Sequence, residues 1–169
     1  MTRSILPHDL PPERIVAIID TREQLPLDLA PLQTITGALT TGDYSVAGLE
    51  RFIAIERKGL SDLLSCCGTE RERFEREVQR LLAYPCRALV VESDWPTIER
   101  GEWPNRITPQ SVLGSLLGWV ELGLPVVMTG NHERAGRYVS RLLFVSARRR
   151  WRELRALAAT REMIEGGEQ

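Results

Sequence analysis

The sequence has few cysteines and no long apolar run, and both absences narrow the kind of protein it can be. No stretch approaches the about 18 consecutive apolar residues of a membrane-spanning helix, and the N-terminus lacks the apolar run of a signal peptide. The three cysteines, Cys66, Cys67 and Cys86, are odd in number and lack metal-ligand spacing. We therefore expect a reduced, cytoplasmic protein without a membrane span.

The chain also has few histidines and almost no net charge. The chain has two histidines, His8 and His132, far apart and without a further histidine or cysteine at ligand spacing, so neither predicts a metal site. Charged residues make up 27% of the chain, yet the formal net charge is -1. A chain with this balance is not uniformly attracted to nucleic acid, and any such contact requires a local basic surface.

The length and the hydrophobic pattern predict one α/β domain. A chain of 169 residues can bury a substantial core, and strand patterns alternate with helix patterns after Glu56. We expect a sandwich in which α-helices flank a central mixed β-sheet. The predicted strands are 14–19, 34–46 with a kink at Thr41-Gly42, 52–57, 87–91 and 125–129. The predicted helices are 60–65, one that ends before Pro85, 110–122, one capped by Asn131, and 146–164.

Two of the predicted helices have further features. Thr69 and Glu72 have the spacing of a capping box, which predicts that Thr69 caps the helix that ends before Pro85. Thr108-Pro109 suits the start of the next helix, because proline fits the first turn. That helix, 110–122, is apolar nearly all round, so we expect it between two layers or at a subunit contact.

The most informative feature is a hairpin that carries acidic and basic residues. Gly42-Asp43-Tyr44 and Glu56-Arg57-Lys58 flank two strands joined by a four-residue turn at 48–51. If Tyr44 pairs with Ile55, then Asp43 lies opposite Glu56. Like charges at opposed positions destabilise a sheet, and a cation between them would remove that cost. Lys58 shares the face of Glu56, and this set suits magnesium and an activated water that attacks a phosphodiester.

A plainer interpretation of the same residues is a solvated strand edge and a turn. Gly-Asp is a common turn signal, and charged triplets are common on exposed strands. The approach to Glu56 is apolar, however, since Ile53, Ala54 and Ile55 precede it. A buried strand that ends in charges favours a functional site.

Further acidic residues lie near these motifs. Asp20, Arg22 and Glu23 follow the first buried strand, where the two carboxylates could add metal ligands or form a structural turn. Arg22 could hold a phosphate or pair with a neighbouring carboxylate. Asp62 lies six residues after Glu56, where it could cap the short helix or reach Arg57.

Basic residues that could contact nucleic acid occur in three places. Arg73 lies in a helix whose charges alternate in sign, and Arg106 lies in a loop beside Trp103. The strongest basic cluster contains Arg148, Arg149 and Arg150 near the C-terminus. For each of these arginines a solvated helix or loop surface is the alternative to phosphate contact.

Taken together, the motifs resemble the nuclease domain of the XPF family of structure-specific DNA endonucleases. The family signature is Gly-Asp, a spacer, Glu-Arg-Lys, three residues and Asp, which matches Gly42-Asp43, Glu56-Arg57-Lys58 and Asp62. A preceding Asp-x-Arg-Glu element matches the stretch from Asp20 to Glu23. The resemblance covers roughly 14–145 and implies a restriction-endonuclease-like fold.

The resemblance also implies roles for these residues. One or two magnesium ions, for which manganese could substitute, would be held by Asp20, Glu23, Asp43 and Glu56. Lys58 would orient the attacking water or stabilise charge at phosphorus, and Arg57 would grip a phosphate or lock the site. The implied catalytic residues are Asp43, Glu56, Arg57 and Lys58, with Arg22 and Asp62 in supporting positions.

One departure from the family concerns the C-terminus. Family members usually carry a tandem helix-hairpin-helix module after the nuclease domain, and we see no room for one here. We expect an N-terminal arm at 1–13, the nuclease domain at 14–145 and a C-terminal helix and tail at 146–169. Small forms of this kind resemble bacterial or phage-borne proteins.

The functional expectation is a magnesium-dependent endonuclease that cuts branched or flapped DNA in repair, replication or recombination. It would act as a homodimer, through helix 110–122 and the Tyr138, Leu142 and Leu143 face, or with a partner that supplies grip on DNA. The alternatives are a non-catalytic DNA-binding or scaffold subunit and a sequence-specific restriction-type nuclease. The presence of every acidic ligand and the lysine favours the active enzyme over the scaffold.

Overall fold

Six short strands, rich in apolar and β-branched residues, form the centre of the molecule. A computed structural model describes residues 7–166, with side chains described through residue 160. The strands are β1 (Val16–Asp20), β2 (Gln33–Gly37), β3 (Tyr44–Val46), β4 (Ile53–Lys58), β5 (Cys86–Val91) and β6 (Val126–Met128). The helices are α1 (Leu60–Cys67), α2 (Arg71–Leu82), α3 (Trp95–Arg100), α4 (Pro109–Glu121) and α5 (His132–Gly166).

The strands form one mixed sheet in the order β2-β1-β3-β4-β5-β6. The central strand β3 runs antiparallel to both of its neighbours, β1 and β4. The outer pairs are parallel, β1 with β2 on one side and β4 with β5 and β6 on the other. The expected central mixed sheet flanked by helices is confirmed.

Alternation along β4 divides its side chains between two cores. Ile53 and Ile55 pack with the buried side chains of α5, which include Val139 and Leu143. Ala54 packs on the other face with the buried residues of α1, α2, α3 and α4. Continued alternation puts Glu56 on the α1–α2 side of the sheet and Arg57 on the α5 side.

The hairpin register predicted from the sequence is confirmed. Tyr44 of β3 pairs with Ile55 of β4, and the Ser45 hydroxyl donates to the Ile53 carbonyl at 2.7 Å. Both motifs of the hairpin therefore reach the same edge of the sheet. The predicted start of α4 is also correct, since the Thr108 hydroxyl accepts a hydrogen bond from the Ser111 N–H at 3.2 Å.

The capping box predicted at Thr69 is wrong. The residue that precedes α2 is Glu70, and no side chain caps the helix. The N–H of Glu70 instead donates to the Ser65 carbonyl at 2.9 Å, near the end of α1. The tight turn between α1 and α2 replaces the cap, because the end of one helix determines where the next begins.

The two helices predicted at the C-terminus are one. Helix α5 runs without a break from His132 to Gly166, so the predicted boundary at 145/146 lies inside it. Residues 1–6 of the predicted N-terminal arm, like the last three of the chain, lie outside the described residues. The described part of the arm contacts α5: the carbonyl oxygens of Pro7 and His8 accept from Trp151 at 3.2 Å and Arg155 at 2.7 Å.

Helix α3 was not predicted. It begins after Asp94, whose carboxylate accepts a hydrogen bond from the Thr97 N–H at 2.8 Å, and it buries Ile98. Helix α4 packs one face inward through Val112, Leu116 and Trp119, so it is not buried all round. Within residues 7–166, no helix is both long and apolar enough to cross a membrane.

Candidate active site

The candidate site lies at the sheet edge where β1 ends, β3 begins and β4 ends. This arrangement follows from the antiparallel position of β3 between β1 and β4. The backbone N–H of Asp20 donates to the Asp43 carbonyl at 2.8 Å, and the N–H of Asp43 donates to the Ile55 carbonyl at 2.8 Å. Backbone hydrogen bonds thus bring the Gly-Asp and Glu-Arg-Lys motifs together.

Gly42 allows this close approach of the two strands. Its φ is +77°, a left-handed conformation that side chains disfavour. A Cβ at this position would lie 2.9 Å from the Ile55 carbonyl oxygen, which is backbone and cannot move aside. The glycine of the Gly-Asp motif is therefore required by sterics, whatever its neighbour does chemically.

Asp43 is tied to the strand that carries the basic residues. Its Oδ2 accepts a hydrogen bond from the backbone N–H of Arg57 at 2.7 Å. Burial raises the pKa of Asp43 above its usual value, although this hydrogen bond and the charge of Lys58 oppose the increase. The carboxylate is held at one orientation and retains an oxygen, Oδ1, that could face a ligand.

Glu56 and Lys58 form a buried ion pair beside Asp43. Glu56 is 6% exposed, and the Lys58 ammonium donates to its Oε1. Burial and, next, the negative charge of Asp43 raise the pKa of Glu56 to about 7. Burial opposes the charge on Lys58, but Glu56 and Asp43 outweigh it, and the pKa of Lys58 is raised. The ammonium also lies 5.4 Å from the centre of the Phe74 ring in α2.

Arg57 lies on the other face, in a network with two carboxylates. Its Nε and Nη2 donate to both oxygens of Glu23 at 2.8 and 2.7 Å, and its Nη1 donates to Glu92 at 3.0 Å. The side chains of Glu23 and Arg57 are 3% and 11% exposed. Tyr44 donates to Glu23 at 3.2 Å, and Nδ1 of His132 lies 2.7 Å from Glu92. This network locks β4 to β5 and α5.

Asp20 and Glu23 are engaged in hydrogen bonds on all their carboxylate oxygens. Oδ1 of Asp20 accepts from the N–H and Nε of Arg22, and Oδ2 accepts from the Leu39 N–H at 2.6 Å. Burial opposes ionisation of Asp20, but these hydrogen bonds outweigh it and lower its pKa. Arginine and tyrosine contacts lower the pKa of Glu23 against burial in the same way.

The set of four carboxylates predicted to hold metal is not gathered into one cluster. Within the described part of the chain, no group of three or more histidine, cysteine, aspartate or glutamate side chains is placed to hold an ion. Asp43 and Glu56 do approach each other, and the negative charge of Asp43 adds to burial in raising the pKa of Glu56. Two carboxylates that disfavour each other's charge fit a magnesium ion, which keeps several waters and uses one or two carboxylates.

The other residues predicted from the sequence lie outside the group formed by Asp43, Glu56 and Lys58. Asp62 is exposed in the first turn of α1, where it does not cap the helix, and Arg57 does not contact it. Arg73 pairs with Glu70 at 2.6 Å, and Arg106 lies exposed in the loop before α4. Arg149 and Arg150 both contact Glu153, at 3.3 and 2.7 Å, in the second half of α5.

Sequence reasoning missed three residues near the site. Glu92 and His132 belong to the Arg57 network, and the negative charge of Glu77 in α2 contributes to the raised pKa of Glu56. Glu92 directly follows β5, so it had the same strand-end signal as Asp20. Glu77 belongs to a helix of alternating charges, and nothing in that pattern distinguishes it from its solvated neighbours.

Comparison with known proteins identifies the family of the chain. The family model of the ERCC4 domain matches residues 19–142, which include every residue of the candidate site. The chain belongs to the ERCC4 domain family. Members of this family are nucleases, so the XPF-family resemblance carried by the motifs is confirmed.

A comparison with solved structures identifies the fold. The structure matches that of XPF from Aeropyrum pernix with a TM-score of 0.62 and 20% sequence identity. The match covers 79% of this chain and 62% of the archaeal one, so this chain spans less than two thirds of that structure. The fold is the restriction-endonuclease-like fold of the XPF nuclease domain. No curated protein sequence gives a significant match.

Proposed function

We propose that this ERCC4 domain is a magnesium-dependent endonuclease that hydrolyses phosphodiester bonds at branched or flapped DNA. The observation that supports the proposal is the convergence of Asp43, Glu56 and Lys58 at one sheet edge, with the pKa of both carboxyl groups raised. A structural ion pair does not need a second carboxylate beside it. Perturbed acids grouped at a strand end are typical of active sites.

In this proposal Asp43 and Glu56 would hold the magnesium ion, and manganese could substitute for it. When bound, the ion supplies a hydroxide nucleophile from water and Lewis-acid stabilisation of the phosphate. The ammonium of Lys58, which donates to Glu56 in this structure, would orient the attacking water or neutralise charge at phosphorus. Asp20 and Glu23 become ligands only if they release Arg22 and Arg57, so we rank them second.

Arg57 acts as a positioning residue in the same proposal. Its guanidinium is occupied by Glu23 and Glu92 on the α5 side, away from Glu56. Its backbone N–H orients Asp43. Of the two roles that the sequence left open, a lock on the site is therefore favoured over a grip on a scissile phosphate.

A cleavage assay on fork, flap, linear duplex and single-stranded DNA, with magnesium, manganese or EDTA, tests the proposal. We expect cutting at the branch that requires the metal and disappears in Asp43→Asn and Lys58→Met. Cutting that follows base sequence and ignores branches would replace the proposed substrate. Cutting by Asp43→Asn at the wild-type rate would contradict the site.

A second candidate function is a non-catalytic DNA-binding or scaffold subunit. The observation that favours it is the full engagement of Asp20 and Glu23 by arginine and backbone donors. Binding of fork DNA without cleavage by the folded, metal-loaded wild-type protein would support this function and exclude the first.

We also propose that α4 pairs with a second copy of the chain or with a partner. Leu117 and Val120 on its outer face, beside Gly114 and Gly118, and Leu122 directly after it are 58%, 46% and 50% exposed. Leu143, which was predicted in this contact, is buried in the core and cannot contribute, whereas Tyr138 is 54% exposed. Sedimentation of the wild type and Leu117→Asp tests whether this surface holds a dimer.

A further inference from the structure

Helix α5 carries an excess of positive charge, although the chain as a whole does not. Residues 132–160 contain eight arginines against two glutamates, an excess of six positive charges, whereas the whole chain has a net charge of -1. Solvation alone does not require this imbalance. Helix α2 also has several arginines, but three of its four pair with acids: Arg71 with Glu75, Arg73 with Glu70, and Arg80 with Glu77.

At 3.6 residues per turn, six of these arginines fall within an arc of about 60° on one face of α5. One of the six, Arg155, donates to the His8 carbonyl at 2.7 Å. We call the other five the arginine stripe. The arc lies opposite the buried face that contains Ala135, Val139, Leu143 and Ala147. The stripe consists of Arg134, Arg137, Arg141, Arg148 and Arg152. With a rise of about 1.5 Å per residue, it is about 27 Å long.

The stripe is short of acidic partners. Among residues 7–160, its one ion pair joins Arg137 to Glu133, with 3.8 Å between the nearest atoms. Arg141 and Arg148 instead lie 5.3 and 5.9 Å from the centre of the Phe144 ring between them. The face of an aromatic ring holds a guanidinium group in place. The N–H donors lie in the plane of the guanidinium, so this contact does not use them.

The stripe begins beside the candidate active site. His132, the first residue of α5, contacts Glu92, and Glu92 contacts Arg57. The stripe then runs away from the site along the outside of the molecule. A polyanion that enters the site at this end would meet arginines over the length of the helix.

The geometry points to duplex DNA as the occupant: we propose that the arginine stripe binds the phosphate backbone of one duplex arm. The inference rests on the proposed function. A length of about 27 Å spans about eight base pairs at 3.4 Å each. A membrane surface fits less well, because the apolar face of α5 is packed against the sheet and is not available to lipid.

The structure also separates the stripe from Arg149 and Arg150. These two arginines contact Glu153 and lie outside the arc, and Arg150 lies 5.2 Å from the Phe52 ring. Of the three consecutive arginines, Arg148 alone belongs to the stripe. Helical periodicity, and not local density of charge, decides which arginine reaches a ligand on the outer face.

Salt dependence of DNA binding tests the stripe. Fluorescence anisotropy with a labelled duplex of about 20 base pairs, in EDTA to prevent cleavage, gives the slope of log K against log salt. We expect the double variant Arg141→Gln with Arg148→Gln to bind more weakly. The magnitude of its negative slope should be smaller by about 1.8, since each phosphate contact contributes about 0.9. Arg134→Gln with Arg152→Gln, which leaves the Phe144 contacts intact, should do the same.

The matched control is Arg76→Gln with Arg100→Gln, which removes two exposed arginines from α2 and α3. An equal loss of slope in the control would overturn the stripe, because net charge would then explain the effect. An unchanged slope in both stripe variants would overturn it as well. Stripe-dependent binding to anionic phospholipid vesicles or to single-stranded RNA, with no effect on duplex DNA, would also overturn it.

The same samples separate this inference from the proposed function. If the wild type cuts DNA and the stripe variants retain the wild-type slope, the stripe is wrong and the enzyme stands. If the wild type cuts nothing and the stripe variants lose slope, the stripe stands and the endonuclease is wrong.

Discussion

The carboxylate of Asp43 accepts a hydrogen bond from the backbone N–H of Arg57, with 2.7 Å between Oδ2 and the nitrogen. This single contact joins the Gly-Asp motif to the Glu-Arg-Lys motif across the hairpin. It uses the main chain of Arg57, so the side chain of Arg57 is free to bind Glu23 and Glu92 on the opposite face. One residue thereby organises both sides of the sheet edge.

This contact predicts different outcomes for two substitutions of Asp43. Asn can still accept the Arg57 N–H through its amide oxygen, so Asp43→Asn should fold normally and lose cleavage by about 100-fold or more. Asp43→Ala leaves that N–H without its acceptor and should cost a further about 1–3 kcal/mol of unfolding free energy. Urea denaturation and single-turnover cleavage separate the two effects, and equal stability of the two variants would contradict the role of the contact.

Removal of the Arg57 side chain should destabilise the protein strongly. Arg57→Met leaves the carboxylates of Glu23 and Glu92 without their shared partner, which costs about 3–5 kcal/mol for a buried pair. Arg57→Met combined with Glu23→Gln should recover part of that loss, because it removes one unpaired charge. Chemical denaturation measures both. A loss in the single variant below about 1 kcal/mol would mean that the network is not structural.

Substitution of Gly42 should be more costly than substitution of another glycine with the same backbone conformation. Gly42→Ala combines a positive φ with a Cβ placed 2.9 Å from the Ile55 carbonyl oxygen. Gly48 has a φ of +82° and open space around its Cβ position, so Gly48→Ala shares the strain without the clash. We expect Gly42→Ala to be less stable by at least about 1 kcal/mol more than Gly48→Ala. Equal melting temperatures would show that the strands can separate locally.

The raised pKa of Glu56 predicts how stability depends on pH in the metal-free protein. Between its ordinary value of 4.5 and about 7, the folded state holds a proton that the unfolded state has lost. Stability therefore falls as pH rises through this window and stays lower above it. Gln resembles the protonated acid and can still accept from Lys58, so Glu56→Gln should melt higher than wild type at about pH 8 in EDTA.

The difference between Glu56→Gln and wild type should disappear below about pH 4.5, where the acid is protonated in both states. Glu75→Gln removes the same charge from an exposed position of α2 and serves as the control. A difference in melting temperature that does not change with pH would indicate a packing effect. Magnesium should raise the melting temperature of the wild type and narrow its gap to Glu56→Gln, since ion binding offsets the repulsion.

How much could be predicted from sequence differs between the sheet and the helices. The pairing of Tyr44 with Ile55 was predictable because strand residues alternate faces and the turn length sets the register. The end of each helix was less predictable, because it depends on contacts with neighbours. Glu70 donates to Ser65 across the α1–α2 turn, and that contact displaced the predicted cap at Thr69.

The sequence by itself determined the hairpin, the mixed sheet and the residue types at its edge, because these follow from local periodicity and turn chemistry. The position of Asp43 opposite Glu56 also follows from the hairpin register. The tertiary structure alone decided where the remaining carboxylates lie, since Arg57 draws Glu23 and Glu92 together from positions 34 and 35 residues away. Long-range ion pairs depend on how strands and helices pack, and no local pattern encodes the partner that a buried charge will find.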